Sequence, residues 1–232
     1  MLGFPSRNQD KTGRKRKAKP TVKRSRMRRL LAERLEDRRV LASYIVSTAS
    51  DVVAEDGVLS LREAIQAANA NAVINSDTIA GDAGPGIIDS ISFIPGLSTI
   101  TLGSELSITD SLAISLVDAT EITISGDNAS QLFSIDANAA PEISNEVFIQ
   151  GLTLLNGVAA VGGAIYVAPG QSLSLDSVTL SGNTATGDAA SEGGGGIFND
   201  GGTLNIANSI LSGNTASGVA GSGGAIFNAS GG

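Results

Sequence analysis

Apolar and polar residues alternate with a period of two through most of the chain after residue 90. The segment 172–175, for example, reads Ser-Leu-Ser-Leu, and similar short stretches recur from Ile91 onward. This alternation is typical of strands that bury one face. Gly and Asn separate the stretches, and both residues accept the left-handed backbone angles of tight turns. The pattern therefore predicts many short strands joined by turns.

Two short phrases repeat in a fixed order within this region. The box Gly-Ala-Ile-Tyr-Val at 163–167 returns as Gly-Gly-Ile-Phe-Asn at 195–199 and as Gly-Ala-Ile-Phe-Asn at 224–228. Between the boxes, Ser-Gly-Asn-Thr-Ala at 181–185 returns at 212–216. The boxes are 32 and 29 residues apart and the phrases 31 residues apart, which indicates a stacked repeat architecture.

One repeat of about 30 residues contains three predicted strands, at 164–167, 172–175 and 177–181, which suits one coil of a parallel β-helix. A β-propeller blade would need four strands in roughly 40 residues, and no helical periodicity supports a helical solenoid. Parallel crossover connections are right-handed. The sequence thus predicts an all-β fold, a right-handed parallel β-helix of the pectin-lyase-like solenoid class, with about five coils over residues 90–232.

Equivalent residues of successive coils stack about 4.8 Å apart in such a fold. The repeats then align Ile165, Ile197 and Ile226 in one ladder, and Asn183 with Asn214 in an amide ladder. An aromatic residue follows each of the three isoleucines and points to the opposite side of its strand. The sequence leaves open which of the two faces the interior. These aromatic residues are Tyr166, Phe198 and Phe227.

A helix is predicted over about 60–71, just before the β-helix. Ser60 and Glu63 form a Ser-x-x-Glu capping box, and apolar residues at 61, 65 and 68 share one face. An open sheet edge needs covering at this point, so we expect residues 43–89 to form the N-terminal cap. Ser60, Arg62 and Glu63 are its expected structural residues. Arg62 is expected to pair with Glu63 at the helix surface or to reach another acid on the first coil.

Other segments complete the predicted organisation. Residues 44–53 alternate and predict a first strand, whereas 72–90 and 184–194 predict loops, the second of them protruding. The sequence ends at Gly231-Gly232, just after a repeat box and without the polar cap that solenoids need. We therefore expect an incomplete C-terminal coil that is open to self-association.

Charge divides the chain into two parts. Fifteen of the 16 Lys and Arg residues precede residue 40, together with four of the 23 acidic residues. The remaining 19 acids accompany one cation, Arg62. Residues 1–42 are predicted to be a disordered basic tail, serving either as a targeting segment or as a solvated tail that contacts phosphates without specificity. No apolar run reaches the roughly 20 residues of a membrane-spanning helix.

The segment Leu-Glu-Asp-Arg-Arg-Val-Leu at 35–41 resembles the Leu-Glu-x-Arg-x-Leu-Leu-type N-terminal motif (LEPR-xLL-like) of large exported proteins of planctomycete-type bacteria. This resemblance favours the targeting interpretation. It implies a location outside the cell, at the outer membrane or the cell surface.

A second resemblance starts at the capping box. Ser-Leu-Arg-Glu-Ala at 60–64 follows Asp56-Gly57 and is similar to the CSLREA motif of bacterial surface and secreted β-helix proteins. Leu59 stands where that motif has Cys, so any thiol role is lost and the structural role remains. The Gly-Gly-Ala-Ile boxes resemble repeats of chlamydial-type polymorphic outer-membrane proteins. Together these likenesses imply a secreted or surface-exposed protein that is adhesin-like or structural.

Parallel β-helices also include polysaccharide lyases and hydrolases, so catalysis has to be weighed by residue types. Such lyases use a cationic base and usually Ca²⁺ on an Asp cluster, and galacturonases use several Asp and a His. Residues 40–232 contain no Lys, no His and one Arg. Two-carboxylate glycoside hydrolysis remains possible, with Asp118 and Asp127 as a pair that could meet across a coil. The scattered candidate acids are Asp110, Asp118, Asp127, Asp136, Asp176, Asp188 and Asp200.

The sequence therefore favours a non-catalytic protein with no cofactor, no metal site and no specific nucleic-acid partner. Glycans or surface proteins are the expected partners. The alternative is a polysaccharide-active β-helix that uses a carboxylate pair. The aromatic residues available for sugar stacking are Phe133, Phe148, Tyr166, Phe198 and Phe227.

Overall fold

The computed structural model describes residues 41–82, 87–116, 121–136 and 144–229. The predicted basic tail up to residue 40 and the candidate Asp118 lie outside these ranges. The described residues belong to one compact unit of strands and one helix. In chain order the elements are β1 (Ser43–Val46), α1 (Leu61–Ala70), β2 (Asp89–Phe93), β3 (Thr99–Thr101), β4 (Leu106–Ile108), β5 (Leu112–Ser115), β6 (Thr123–Ser125), β7 (Phe133–Ile135), β8 (Glu146–Gln150), β9 (Thr153–Leu155), β10 (Val158–Ala159), β11 (Ile165–Val167), β12 (Ser172–Asp176), β13 (Thr179–Ser181), β14 (Thr184–Ala185), β15 (Ile197–Asn199), β16 (Thr203–Ala207), β17 (Ile210–Ser212), β18 (Thr215–Ala216) and β19 (Ile226–Asn228).

The strands form four sheets in which every pairing is parallel. Sheet 1 has the order β1-β2-β5-β8-β12-β16, sheet 2 β3-β6-β9-β13-β17, sheet 3 β4-β7-β11-β15-β19, and the short sheet 4 β10-β14-β18. The chain visits the sheets in a fixed order, and each strand pairs with its counterparts one coil before and after. The predicted right-handed parallel β-helix is thus confirmed.

Five rungs lie one above another between β2 and β16, so four complete turns separate the first rung from the last. The five coils expected from the sequence correspond to these rungs. The first strand, β1, extends sheet 1 by pairing with β2, so it adds a sixth strand ahead of the first complete coil.

The isoleucine ladder faces the interior. Ile165 pairs with Ile197, which pairs with Ile226, and the first two are completely buried. The aromatic residues that follow them lie on the opposite face and stack upon one another. The ring centroids of Tyr166 and Phe198 are 5.9 Å apart and those of Phe198 and Phe227 are 5.2 Å apart. The structure thus decides the question of orientation that alternation alone left open.

The predicted amide ladder is present, and its member Asn183 is fully buried. Asn183 Nδ2 donates to Asn214 Oδ1 at 2.9 Å and to the carbonyl oxygen of Leu154 at 3.1 Å. Asn183 Oδ1 in turn accepts the backbone N–H of Gly157 at 2.7 Å. Because its donors and acceptor are bonded, Asn183 can be fully buried without the penalty of an unpaired polar group.

A second asparagine ladder was not predicted. Asn199 Nδ2 donates to Asn228 Oδ1 at 2.6 Å and to the carbonyl oxygen of Gly202 at 2.9 Å. Asn199 is buried and shares the inward face of its strand with Ile197. The equivalent position on the preceding rung is Val167, so the interior column changes from aliphatic to amide between the third and fourth rungs. The Ile-Phe-Asn endings of the last two boxes are the sequence signal for it.

Several predicted boundaries differ from the structure. The first strand covers Ser43–Val46 and not the whole of 44–53, because Ser47 leaves the sheet to exchange hydrogen bonds with Leu59. The strand predicted over 177–181 begins at Thr179, since Ser177 adopts φ 55° and turns a corner of the coil. The loop predicted over 184–194 opens with the two-residue strand β14, and its Gly193 bridges to Ser222.

Truncation of the isoleucine ladder tests the packing. Ile197→Ala should lower the free energy of unfolding by about 2–5 kcal/mol, because it removes a fully buried side chain between two rungs. Ile210→Ala provides a matched control, since that side chain is 61% exposed and its loss should change stability by at most about 0.5 kcal/mol. Urea unfolding followed by circular dichroism measures both. Equal effects of the two substitutions would contradict the assigned orientation.

Candidate functional site

The N-terminal cap holds the polar residues predicted for it. Ser60 is the N-cap of α1, with φ −82° and ψ 161°, and the full capping box with Glu63 is present. Asn71 ends the helix in the left-handed conformation. The helix buries Leu61, Ala64 and Ile65, so it covers the apolar interior at the start of the β-helix.

Glu63 is a buried junction within this cap. Its Oε2 accepts the backbone N–H of Ser60 at 2.9 Å, and its Oε1 accepts the backbone N–H of Ala54 at 2.9 Å and Asn75 Nδ2 at 2.6 Å. Burial by itself raises the pKa of Glu63, but the hydrogen bonds from Ser60, Ala54 and Asn75 outweigh it and lower that pKa below its ordinary value. The carboxylate therefore holds three segments of chain together.

Arg62 does not pair with Glu63, so that part of the expectation is wrong. Its guanidinium binds Asp51 with two bonds, Nε to Oδ1 at 2.9 Å and Nη2 to Oδ2 at 2.8 Å. The planar fork of Arg matches a carboxylate in this way. The acid lies on the segment after β1, whereas the first coil supplies the carbonyl oxygens of Ser104 and Glu105 as further acceptors. Glu63 is unavailable because its oxygens already serve the cap.

The Arg62–Asp51 pair is the only salt bridge found in the described parts of the chain. The side chains are 16% and 7% exposed, respectively, which places the pair largely out of solvent. Asp51 Oδ2 also accepts the backbone N–H of Gly103 at 2.8 Å. The pair thus fastens the segment before α1 to the turn before β4.

Asp89 is a buried carboxyl group at the start of β2. Burial raises its pKa, assisted by the negative charges of Asp82 and Asp110, while the backbone N–H groups of Asp82 and Ala42 oppose the rise. Nearby, the Tyr44 hydroxyl donates to the carbonyl oxygen of Ile79 at 3.2 Å. Burial and the charges of Asp89 and Asp82 raise the pKa of Tyr44 to about 12. Across the described ranges, no group of three or more acidic residues is arranged to hold a metal ion.

Four of the candidate carboxylates, those of Asp110, Asp176, Asp188 and Asp200, accept hydrogen bonds from neighbouring groups of the fold. Asp110 Oδ2 accepts from Asn71 Nδ2 at 2.7 Å, and Asp176 Oδ1 accepts from Asn208 Nδ2 at 2.8 Å. Asp127 adopts φ 50° in an exposed turn. Its suggested partner, Asp118, lies outside the described residues, so the pair is not tested. Asp188 and Asp200 bond to the Val219 N–H and the Tyr166 hydroxyl, respectively.

The candidate aromatic residues occupy different environments. Phe133 is completely buried and is therefore removed from the set available for sugar stacking. Tyr166 stacks in the outer ladder and donates to Asp200 Oδ2 at 3.0 Å, and burial together with this carboxylate raises its pKa to about 12. Phe148 is 40% exposed on the outer face of sheet 1, between Ala113 and Ser174 of the neighbouring strands.

The chemistry available to this arrangement is limited. The described residues offer no His, Lys or Cys. The carboxylates of Asp110, Asp176, Asp188 and Asp200 bind amide, backbone and hydroxyl groups of the scaffold. Within the described part of the chain, no helix is both long and apolar enough to cross a membrane. A comparison with protein-family models, curated proteins and solved structures found no match to this chain.

The capping box can be tested by removing its hydroxyl. Ser60→Ala should destabilise the fold by about 0.5–2 kcal/mol, since the N–H of Glu63 loses its acceptor at the start of α1. Ser50→Ala is a suitable control, because Ser50 is exposed and its backbone N–H, which the substitution keeps, donates to Thr48 Oγ1. Thermal melts of both variants give the comparison. An unchanged melting temperature for Ser60→Ala would contradict the role of the cap.

The lowered pKa of Glu63 predicts a pH dependence of stability. An acid whose pKa is lower in the folded state stabilises the fold above its unfolded pKa, about 4.3–4.5, and loses that contribution as pH falls through the folded pKa. Glu63→Gln should cost about 1–3 kcal/mol at pH 7, because a buried amide N–H₂ would face N–H donors. The difference from the parent protein should shrink below pH 4.5.

The control for this experiment is Glu105→Gln, which makes the same change in net charge at an exposed side chain. Asp89 has the opposite effect on stability. Because its pKa is raised in the folded state, its ionised form destabilises the fold, and protonation at lower pH removes that cost. Urea unfolding at several pH values separates the effects. A Glu63→Gln deficit that stays constant between pH 7 and pH 3 would be inconsistent with the assigned ionisation.

Proposed function

We propose that this protein is a non-catalytic β-helix that works as a rigid structural or adhesin-like element at or outside the cell surface. The observation that carries the proposal is that the repeated side chains are accounted for by stacking. Isoleucines fill the interior, asparagines bond to their counterparts, and aromatic rings stack on the outer face of sheet 3. Few repeated side chains are therefore left over for binding a substrate or taking part in a reaction.

The carboxylates support the absence of catalysis. Glycoside hydrolysis needs two carboxyl groups that face a common substrate at about 5–10 Å, one of them with a raised pKa. Asp110, Asp176 and Asp200 accept hydrogen bonds from neighbouring scaffold groups. Asp89 has a raised pKa but is buried and bonded by the backbone of Asp82. Its environment suits a structural acid better than a proton donor to a substrate.

The outer surface supports a role in weak contacts with glycans or other proteins. Polar residues fill most of the outer positions of β8, β12 and β16 in sheet 1, where Gln150 Nε2 donates to Asp176 Oδ2 at 3.2 Å. Phe148 lies among these polar groups as an exposed aromatic ring, the kind of group that stacks on a sugar ring. The six strands of sheet 1 span about 25 Å, which would allow several weak contacts along one surface.

The export half of the proposal rests on resemblance. The segment 35–41 is similar to the N-terminal motif of exported planctomycete-type proteins, and 60–64 is similar to the CSLREA motif of secreted β-helix proteins. The structural part of the second likeness agrees with the position of α1, which begins at that motif and covers the end of the β-helix. Both likenesses favour a location at the cell surface or outside the cell.

One experiment tests the absence of catalysis, and a second tests the location of the protein. We expect no release of reducing ends when the purified protein is incubated with a panel of neutral and acidic polysaccharides. Cleavage by the parent that is abolished by one of Asp118→Asn, Asp127→Asn, Asp136→Asn or Asp176→Asn would make the protein an enzyme. Glu105→Asn, at an exposed site, is the control for a general effect of losing one acidic charge.

Fractionation of the producing bacterium tests the location. The full chain should appear in the outer-membrane or medium fraction, and replacement of Arg38 and Arg39 by Ser should reduce that share if the basic motif directs export. Recovery of the intact parent in the cytoplasm alone would rule out the surface assignment while leaving the structural role of the β-helix standing.

A further inference from the structure

Phe148 is an aromatic residue that contributes neither to the interior nor to a ladder. It lies in the middle of β8 on the outer face of sheet 1 and is 40% exposed. Its neighbours in register are Ala113 on β5 and Ser174 on β12, so neither adjacent strand offers it an aromatic partner. Phe198, in the outer ladder of sheet 3, stacks on two rings and is 7% exposed. The ring of Phe148 is therefore available to a ligand.

The surface around this ring is made of small side chains. Neighbouring strands are about 4.8 Å apart, and all other side chains in the register line of Phe148 are small or polar. A flat ligand therefore finds room above the ring on a shallow platform. The full register line is Ser43, Ser90, Ala113, Phe148, Ser174 and Asn205.

A row of polar side chains lies beside the ring. Gln150 is two residues further along β8 on the same face, about 7 Å from Phe148. Its Nε2 donates to Asp176 Oδ2 at 3.2 Å, and Asn208 Nδ2 donates to Asp176 Oδ1 at 2.8 Å. The hydroxyl of Ser177 is a third donor to this carboxylate, at 3.4 Å. Since a carboxylate has about four acceptor sites and amides both donate and accept, the row offers hydrogen-bonding groups at fixed positions.

The charges near the ring restrict the ligand. Glu146 and Asp176 lie on the same outer face, and Glu146 precedes Phe148 by two residues, about 7 Å. This distance is within the screening length of about 8 Å at physiological salt. Among the described residues Arg62 is the one Lys or Arg, and it binds Asp51 in the cap. An anionic ligand would therefore meet repulsion and find no cation, which favours an uncharged one.

The composition of the platform favours a sugar over a protein. A stable protein interface buries roughly 800 Å² on each partner and has few charged residues at its centre. Here a single ring is surrounded by small and polar side chains, with carboxylates of Glu146 and Asp176 beside it. A sugar ring needs less apolar area, because one aromatic ring covers its C–H face. Its hydroxyl groups then need polar partners at the edge of that ring.

We propose that Phe148 and the polar row of Gln150, Asp176 and Asn208 bind a neutral polysaccharide. One sugar ring stacks on Phe148, and hydroxyl groups of that sugar or the next one bond to the Asp176 carboxylate and the Gln150 amide. This inference rests on the glycan contacts proposed above for the outer surface. It narrows them to one site and to an uncharged chain.

Phe148→Trp turns the site into its own reporter. The protein has no tryptophan, so this variant carries one indole, at the proposed site, and keeps an aromatic stacking surface. We expect a saturable change in its fluorescence with at least one of the hexasaccharides of glucose, xylose and mannose, and no change with the hexamer of galacturonate. Ile45→Trp is the matched control, because Ile45 is 55% exposed on the same face, three strands away on β1. It should show no saturable change.

Affinity measurements by calorimetry test the individual side chains. Phe148→Ala should bind the responding hexasaccharide about tenfold more weakly than the parent, or worse, because the stacking surface is lost. Gln150→Leu should bind about threefold more weakly, because one hydrogen-bonding group is lost. Ile45→Ala should bind like the parent. Circular dichroism checks that each variant keeps the fold, which an exposed outer position allows.

Several results would overturn the proposal. These are the absence of a response to every neutral hexasaccharide, equal responses of Phe148→Trp and Ile45→Trp, equal affinities of Phe148→Ala and the parent, and tighter binding of the galacturonate hexamer. An equal response to serum albumin would assign the ring to protein contacts and would also overturn it. Reducing ends measured in the same mixtures keep the two proposals apart. Cleavage would contradict the non-catalytic function, whereas a lack of binding without cleavage would contradict this site alone.

Discussion

Parallel pairing in register, with rungs about 4.8 Å apart, is the constraint on which the rest of this structure depends. In this arrangement the nearest neighbour of each residue is the equivalent residue one coil away. A residue type therefore fits a position if two side chains of that type can pack or form a hydrogen bond at this spacing. Isoleucine satisfies this by apolar contact and asparagine by donating and accepting through one amide. Glycine satisfies it where a carbonyl oxygen of the next rung leaves no space for a Cβ atom, as at Gly163.

At the start of the stack, the backbone groups and apolar side chains of the first coil need partners other than a preceding coil. The cap does so with charge, since Glu63 gathers N–H donors from three segments and Arg62 supplies donors to the carbonyl oxygens of Ser104 and Glu105. A buried ion pair is weak evidence for stability but removal of one partner is costly. Arg62 and Asp51 therefore fix where the first coil begins more than they add to its strength.

The sequence was most informative where residues repeat and least informative where they occur once. The box at 163–167 and its two later copies predicted the isoleucine ladder because a period of about 30 residues admits few architectures. Ser60 and Glu63 were predictable because the capping box is local. The partner of Arg62 was not, since Asp51 is 11 residues away and its approach depends on the path after β1. The buried carboxyl of Asp89 gives no local signal either, because its burial comes from packing between sheet 1 and the cap.

The two tyrosines make this chain its own optical reporter. The protein has no tryptophan, so its near-ultraviolet absorbance and emission come from Tyr44, which lies in the first strand of sheet 1, and Tyr166, which lies on the third rung of sheet 3. One hydroxyl is bonded to a carbonyl oxygen of the cap and the other to a carboxylate beside the aromatic stack. Mutation of either to phenylalanine leaves the other as the single tyrosine, whose absorbance and emission lie at longer wavelength than those of phenylalanine. Spectroscopy without labels can therefore follow the beginning and the middle of the coil separately, and it distinguishes melting of the whole stack from fraying of its end.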